Sequence, residues 1–478
     1  MRHILIVSIF ALFLLLLACT VVSTSPYSYD ESDYMYATKL GLVANYTDTP
    51  TVSIVDFLQI GFSRGRDLRQ NSRLSEFIRG SDDIVFYRHW HGPLYFYWLI
   101  LTSHADFDEH RMRLLTLAFP ICSLLVIYFG CIWILGQDYG SKAAALGSAL
   151  FVFSIPTIRS TELAPHQAFV CCFLACLILL SKTLATGKRS YFYGAVVAAA
   201  LSCCLLEVGF VTVATVMICG YLERQKLGAD RTLIVRSLLT FVGTVLLIWP
   251  SAIMKLSFLK GYLFMAYLSI FRKSPWGEEG FVDTWGKRIS SSPIEWSIIA
   301  AALLAWIFLR RPEGNRRILY PFVLYGAMML AATLRVTTAT PRYALLFQPA
   351  LDVLAGCVLA PHLVRLKRHA ASYTLLVIFS VALFTETWVE LRRHPVFTDL
   401  RLVSLLEYIR EKHLDNSWML VPQVDLPMLH YYFPNLHLRG YTDQEFSTLN
   451  AGNAEGVLYP GFPIRYEAPL AGGSDPTK

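Results

Sequence analysis

Charge is scarce in this chain of 478 residues, because Asp, Glu, Lys and Arg make up 16% of it and hydrophobic residues 55%. Soluble globular proteins carry about 25% charged residues. The deficit excludes an ordinary soluble domain. Apolar runs near the roughly 20 residues that cross a bilayer recur along most of the length. The composition therefore predicts an all-α polytopic membrane protein.

The sequence also lacks cysteines in polar loops, a nucleotide-binding motif and a nucleic-acid-binding surface. All ten cysteines lie in apolar segments, which argues against a disulfide framework or a thiolate zinc site. No Gly-rich phosphate loop links a strand to a helix, so a soluble nucleotide donor in a Rossmann domain is excluded. No basic stretch is interleaved with exposed aromatics, so the net charge of +7 does not indicate nucleic-acid binding.

Eleven apolar segments are predicted to span the membrane. With the chain starting inside, every cytoplasmic connection carries Lys or Arg, as the positive-inside rule requires. This topology holds only if 190–222 forms two helices with a turn near Glu207. The N-terminal segment also has features of a signal peptide, but its length favours a retained first helix. The predicted spans are 4–22, 110–136, 143–160, 163–183, 190–205, 208–222, 233–252, 294–309, 318–335, 343–362 and 372–389.

Three large polar pieces then fall on the outer side, namely 23–109, 253–293 and 390–478. Carboxylates gather near the outer ends of the spans. Ionisable groups at a membrane are costly and usually functional. The pattern predicts a site at the extracytoplasmic rim, and these carboxylates are Asp30, Glu31, Asp33, Glu162, Glu207 and Glu386.

The segment "DESDYMY" follows the first span directly. On a helix, Asp30, Asp33 and Tyr34 share one face. A carboxylate at a low-dielectric edge suits a general base. A solvated helix start, where acidic residues are favoured, is the alternative.

Three other segments carry candidate ligands of a substrate. His91 lies in "HWHGPLYFYWL", whose aromatics also suit an interfacial anchor. Its H-x-H pair leaves a divalent metal open, although no ligand set is clear and no cofactor is assigned. Arg111 and Arg113 open the second span in "RMRLLTLAF". Arg342 in "TPRYALLFQPALD" is a phosphate ligand or an ordinary flanking cation. Asp352 falls within a span, and we expect neighbouring helices to satisfy it.

The order of these motifs resembles the GT-C membrane glycosyltransferases. An apolar helix, "DESDY", "HGPLYFYWL", "RMRLLTLAF" and "PRYALLFQPAL" follow one another over roughly residues 1–390. Protein O-mannosyltransferases, lipid A aminoarabinose transferases and bacterial sugar transferases of the lipopolysaccharide core share this order. The resemblance implies a polyprenyl-phosphate sugar donor and a lipid, glycan or protein acceptor. It also implies inverting transfer at the outer face of a bacterial inner (plasma) membrane.

The resemblance also implies roles for individual residues. Asp30 matches the catalytic carboxylate that takes the acceptor's proton, and Glu31 supports it or positions the acceptor. The donor-phosphate and substrate-binding set is His91, Arg342, Tyr34, Glu162 and Arg113. Two positions depart from the usual pattern: Gly92 stands where relatives commonly have proline, and Glu207 stands where they often have a basic residue.

The chain is therefore predicted to have two parts. Residues 1–390 form the GT-C transmembrane domain, and 391–478 form a small extracytoplasmic α/β module with a flexible tail. A transporter or flippase of lipid-linked substrates is the main alternative, and a non-catalytic assembly factor is another. No internal repeat is evident, and most charges lie at the rim rather than at the midplane, which favours a transferase.

Overall fold

The computed structural model describes a helical membrane domain and part of the C-terminal region. The described residues are 2–40, 91–103, 107–228, 230–249, 281–308, 317–334, 340–365, 369–394, 400–414, 418–422, 426–441, 456–458 and 466–467. Residues 41–88, which hold the sequon Asn45–Thr47, lie outside these ranges, and so does the segment 255–271, for which the sequence predicts an amphipathic helix.

Helices make up most of the described chain. They are α1 Arg2–Cys19, α2 Tyr29–Leu40, α3 Leu94–Ser103, α4 Glu109–Thr116, α5 Ala118–Val152, α6 Ile155–Arg159, α7 His166–Thr186, α8 Arg189–Cys203, α9 Gly209–Leu222, α10 Arg231–Ile248, α11 Phe281–Ser291, α12 Pro293–Phe308, α13 Tyr320–Thr333, α14 Pro341–Ala344, α15 Gln348–Arg365, α16 His369–Arg393, α17 Leu400–Glu411 and α18 Leu426–Tyr432.

Five helical stretches of the described chain are long and apolar enough to cross a membrane, and α11 with α12 makes a sixth if that bent pair is one span. The five are α1, α4 with α5, α7, α10 and α16. Helix α5 breaks at Gly136, whose φ of 76° is accessible to glycine at little cost. Each predicted span coincides with an apolar helix or half-helix, but several are shorter than a bilayer requires. The count of eleven spans therefore stays a prediction.

The polar turn between α8 and α9 lies at the position predicted from the sequence. Helix α8 ends at Cys203 and α9 begins at Gly209, so Glu207 lies in the connection. This agrees with the two-helix prediction for 190–222. The carboxylate of Glu207 therefore lies at the end of these two helices rather than in the middle of one.

Helices α5 and α15 pack closely through small residues. A Cβ atom on Gly356 would lie 2.6 Å from the Ala143 carbonyl oxygen, so only glycine fits there. The expectation that neighbours satisfy Asp352 is wrong. Its side chain is fully buried, and neither carboxylate oxygen has a hydrogen-bond partner in the described chain. Gly147 of α5 packs against the α15 backbone at this level, where an added Cβ would be 3.5 Å from the Asp352 carbonyl oxygen.

The C-terminal region combines α17 and α18 with a four-stranded sheet. Its strands are β1 Trp418–Pro422, β2 His437–Tyr441, β3 Gly456–Leu458 and β4 Tyr466–Glu467, in the order β2-β1-β3-β4. Strand β1 pairs in parallel with β2 and β3, and β4 runs antiparallel to β3. Leu405 and Ile409 of α17 pack with Met419 and Leu429 in a separate core. The region thus contains the helices and strands that an α/β module requires, and its last two strands, β3 and β4, are short.

Candidate functional site

Asp30, Glu162 and Arg342 meet at one end of the helical domain. Asp30 lies in the first turn of α2, and its carboxylate accepts a hydrogen bond from Nη1 of Arg342 at 2.5 Å. The same guanidinium nitrogen is 3.6 Å from Oε1 of Glu162, in the loop between α6 and α7. The Arg342 side chain is 18% exposed, and those of Asp30 and Glu162 are 35% and 32% exposed. The cluster is thus partly open rather than sealed in the core.

Burial sets the acid–base character of this cluster. It raises the pKa of Glu162 to about 7, although the positive charge of Arg342 opposes the rise. Burial also disfavours the charged guanidinium, but Glu162 and Asp30 outweigh this and raise the pKa of Arg342. Arg342 therefore stays a cation, while Glu162 gains or loses its proton near neutral pH.

A second ion pair, between Glu31 and Arg113, lies behind the cluster. Nε and Nη2 of Arg113 donate to the two Glu31 oxygens at 2.8 and 2.6 Å, in a bidentate arrangement. Glu31 also accepts from the backbone N–H groups of Ser28 and Leu163, each at 3.0 Å. Burial alone would raise the Glu31 pKa, but the hydrogen bond and charge of Arg113 lower it overall.

Arg113 also fixes the segment that leads into α2. Its Nη1 donates to the carbonyl oxygens of Ser23 and Ser25 at 3.0 and 2.7 Å, and its Nη2 donates to that of Pro26 at 3.2 Å. The Arg113 side chain is 4% exposed. These contacts anchor the start of α2, and the Leu163 N–H bound to Glu31 anchors the loop that carries Glu162, so the ion pair holds Asp30 indirectly.

The C-terminal module packs on the same segment. The hydroxyl of Tyr432 accepts from the backbone N–H of Tyr27 at 2.7 Å and donates to Glu109 Oε1 at 2.9 Å. The ring of Tyr431 lies edge-on to that of Tyr27, with centroids 5.3 Å apart. The module therefore braces the approach to α2, next to the cluster.

His91 pairs with Glu207 across the domain. The His91 Nδ1 and Glu207 Oε2 atoms are 2.8 Å apart, and both residues are buried. The next residue, Gly92, lies against the α8–α9 turn, where an added Cβ would be 2.2 Å from the Cys204 carbonyl. The backbone N–H of Leu94 donates to the same carbonyl oxygen at 3.0 Å. A proline at position 92 would not fit this contact, so the two departures from the usual pattern are parts of one interface.

Two residues that the sequence did not single out connect His91 to Arg342. The His166 ring lies 6.3 Å from the His91 ring and 6.1 Å from the Tyr343 ring, centroid to centroid. The Arg342 guanidinium carbon is 5.3 Å from the Tyr343 ring centroid. Buried His166 Nδ1 and Arg342 Nε have no hydrogen-bond partner in the described chain. Both leave hydrogen-bonding capacity for an anionic ligand.

The predicted site residues thus divide into three groups. Asp30, Glu162 and Arg342 are in direct contact, as described above. Tyr34 lies beside His91, with ring centroids 5.9 Å apart. Glu31 and Arg113 are buried against each other instead of facing the open cluster. Tyr343 follows Arg342 directly in the sequence, so its position beside a predicted ligand could have indicated it. His166 lies four residues after Glu162, in "ELAPHQ", and only that closeness to Glu162 could have indicated it.

A basic pocket of about 450 Å³ adjoins α14. Pro341 and Ala344, the two ends of α14, line it together with Gln348. Its charged lining residues are Arg159, Lys287, Arg288, Glu390 and Arg393. Cations outnumber carboxylates there, so the pocket favours an anionic group.

No group of three potential metal ligands is found among the residues that the structure describes.

The fold is similar to those of two membrane enzymes. ArnT from Cupriavidus metallidurans, bound to undecaprenyl phosphate, superposes with a TM-score of 0.59 at 12% identity, over 93% of this chain and 87% of ArnT. The oligosaccharyltransferase AglB from Archaeoglobus fulgidus, in complex with an inhibitory peptide and a dolichol-phosphate, gives 0.57 at 10% identity, over 91% of this chain and 64% of AglB. No family description and no curated protein matches the sequence. The expected GT-C fold is confirmed.

Proposed function

We propose that this protein transfers a sugar from a polyprenyl-phosphate donor to an acceptor at the outer face of the membrane. The observation that carries the proposal is the contact of Asp30 and Glu162 with Arg342 in a GT-C fold. A carboxylate beside a cation supplies what the reaction needs, a proton acceptor and a stabiliser of phosphate charge. The lipid phosphates bound to ArnT and AglB support the donor class.

The proposed step is an inverting displacement at the anomeric carbon. The acceptor's hydroxyl or amine forms a bond to that carbon, and the bond from the carbon to the phosphate oxygen breaks. The electron pair leaves with the polyprenyl phosphate, and Asp30 takes the acceptor's proton. Asp30 loses negative charge while the leaving phosphate gains it. Arg342, which contacts Asp30 at rest, is placed to shift its stabilisation from the carboxylate to the phosphate.

The other residues fall into supporting roles in this proposal. We assign Glu31 and Arg113 to positioning α2 and the Glu162 loop, because their polar atoms bind each other and nearby backbone groups. His91, Tyr34 and His166 line the route to the donor phosphate. Glu207 orients the His91 ring, so the direct phosphate ligand on that side is His166 or the second nitrogen of His91.

The membrane arrangement belongs to the same proposal. If the eleven predicted spans all cross the membrane with the basic connections inside, Asp30 and Arg342 lie on the extracytoplasmic side of an inner (plasma) membrane. The C-terminal module then also lies outside, in contact with Tyr27. The basic pocket beside α14 favours acceptors with phosphate or carboxylate groups, and these are the first acceptors to test.

Removing the Arg342 cation should weaken lipid-phosphate binding by about 10- to 100-fold, the value of one charge-assisted hydrogen bond. Binding of undecaprenyl phosphate to the purified protein in detergent can be measured by native mass spectrometry. Arg342→Gln is the test, and Arg111→Gln is the matched control, because Arg111 is exposed and pairs only with Asp108 in the described chain. Equal affinity of the two variants would remove Arg342 from the donor site.

Ionisation of Glu162 should weaken the binding of undecaprenyl phosphate as pH rises through 7. Burial raises the pKa of Glu162 to about 7, so Glu162 gains negative charge near Arg342 in this range. An anion then binds less well, and we expect a loss of up to about tenfold between pH 6 and 8. Glu162→Gln should abolish the part of the pH profile that belongs to this residue. The ionisation of the lipid phosphate itself is common to both proteins, so an identical profile in the variant would contradict the assignment.

A further inference from the structure

We propose that the end of the helical domain opposite Asp30 and Arg342 holds one anionic glycerophospholipid in a dedicated groove. A cavity of about 1040 Å³ lies there between α1, α5 and α16. It is separate from the proposed transfer site, and nothing in the transfer reaction requires it.

Chain direction places the groove at the opposite end. Helix α1 runs from Arg2, in the groove, toward Asp30. The first half of α5 runs the other way, from the neighbourhood of Arg113 to the break at Gly136, and the residues after this break line the groove. The C-terminal end of α15, at Val364, also lines it. The groove and the transfer cluster are therefore at opposite ends of the same helices.

The depth of the groove matches one leaflet. Its lining extends along α1 from Arg2 to Phe13, a rise of about 16 Å at 1.5 Å per residue. Half of the roughly 30 Å hydrocarbon core is about 15 Å. Acyl chains of a glycerophospholipid fill this depth, whereas the chain of a polyprenyl phosphate is far longer than the groove.

The inner end is closed by aromatic rings. Phe153 lies 5.9 Å from both Phe13 and Phe384, measured between ring centroids, and Phe13 lies 5.7 Å from Phe384. Along the sides, Ile9, Val377 and Val381 are exposed by 45%, 61% and 57%. An apolar channel with a closed floor and lipid-facing sides suits acyl chains.

The open end carries an excess of positive charge. Lys142 lines the groove and is 4% exposed. No carboxylate of the described chain lies within 4 Å of its amino group. Arg2 lies over the Tyr373 ring, 4.8 Å from its centroid. Asp138 is the one carboxylate among the described residues that line the groove. His3 is already engaged, with Nδ1 3.0 Å from the Tyr128 hydroxyl and Nε2 in contact with Gln137. Two cations against one carboxylate fit a phosphate headgroup.

The proposal is tested by lipid binding to the delipidated, purified full-length protein. Phosphatidylglycerol and phosphatidylcholine with identical acyl chains are added separately, and bound lipid is counted by native mass spectrometry. We expect phosphatidylglycerol to bind more tightly. Arg2→Gln and Lys142→Gln should each reduce its affinity about fivefold, the effect of one basic residue near a lipid surface. Lys188→Gln is the control, because Lys188 is exposed on the same predicted side and does not line the groove.

A third variant, Ala145→Trp, tests the apolar part. Ala145 lines the groove, and a large side chain there should reduce binding of both lipids to a similar extent. Equal binding of the two lipids by the wild type, or variants that all match Lys188→Gln, would overturn the proposal. Stronger binding of undecaprenyl phosphate at this site than of phosphatidylglycerol would also overturn it, because the occupant would then be a different lipid. If Lys142→Gln fails to fold, Arg2→Gln and Ala145→Trp still decide the question.

Discussion

An Asp30→Asn enzyme should lose sugar transfer by about 100-fold or more, the usual contribution of a general base. Asparagine keeps an oxygen that can accept the hydrogen bond of Arg342, but it cannot take the acceptor's proton. The rate of polyprenyl-phosphate release, measured by mass spectrometry in membranes from a deletion strain supplied with purified enzyme, reports the reaction directly. Asp30→Glu should recover part of the rate, because it restores the base one methylene away.

Two controls separate this loss from misfolding. The Asp30→Asn protein should melt in detergent near the wild-type temperature, since Asp30 is partly exposed and its neighbours remain. It should also still bind undecaprenyl phosphate, because Arg342 is intact. A variant that releases polyprenyl phosphate at the wild-type rate would show that Asp30 is not the base.

Arg113→Met should destabilise the protein by about 3–5 kcal/mol, because it leaves the Glu31 carboxylate buried without its cation. The double variant Glu31→Gln/Arg113→Met should be more stable than Arg113→Met alone, since no buried charge is then left unpaired. Reversible unfolding in detergent, followed for the wild type, both single variants and the double variant, completes the cycle. Arg111→Met is the control, and its exposed pair with Asp108 should contribute less than about 1 kcal/mol.

The coupling energy between Glu31 and Arg113 distinguishes a structural role of Arg113 from direct binding of the substrate. Additive effects of Glu31→Gln and Arg113→Met on stability would contradict the buried pair. If Arg113 instead held the donor phosphate, Arg113→Met would lower undecaprenyl-phosphate affinity while leaving the melting temperature unchanged. We expect the reverse for any Arg113→Met protein that still folds.

Local patterns were enough to predict the helices. Runs of apolar residues mark them, and the charged residues between runs mark the turns, because burying an unpaired charge in lipid is costly. The turn at Glu207 follows from the basic connections, which lie on one side only if 190–222 forms two helices. Length supports it, since one helix there would be far longer than a bilayer requires. The glycine break at Gly136 separates two predicted spans in the same way.

Contacts between distant segments were not predictable in this way. The identity of Asp30 and Arg342 suggested chemistry, but nothing local shows that their side chains meet across 312 positions of sequence. The resemblance makes Arg113 a substrate ligand, whereas its side chain binds Glu31. Its partner, Glu31, appears only when α2 packs on α4. His166 and Tyr343 were missed because a lone histidine or tyrosine in an apolar segment usually belongs to the core.

The two departures at Gly92 and Glu207 illustrate the same limit. Each looked like an isolated change when taken alone. In the structure they form one interface, where the missing Cβ of Gly92 admits the Cys204 carbonyl and Glu207 binds His91. The fit between these two positions is a property of the folded chain, and no spacing rule reveals it.

The central claim is best tested by comparing the masses of envelope glycolipids and glycoproteins in three strains. These are a deletion strain, the deletion strain with the wild-type gene, and the deletion strain with Asp30→Asn at equal expression. We predict that one sugar-sized mass increment disappears in the deletion, returns with the wild type and stays absent with Asp30→Asn, on an acceptor that carries phosphate or carboxylate groups. Full restoration of every mass by Asp30→Asn would contradict the mechanism, and identical masses in all three strains would contradict sugar transfer itself.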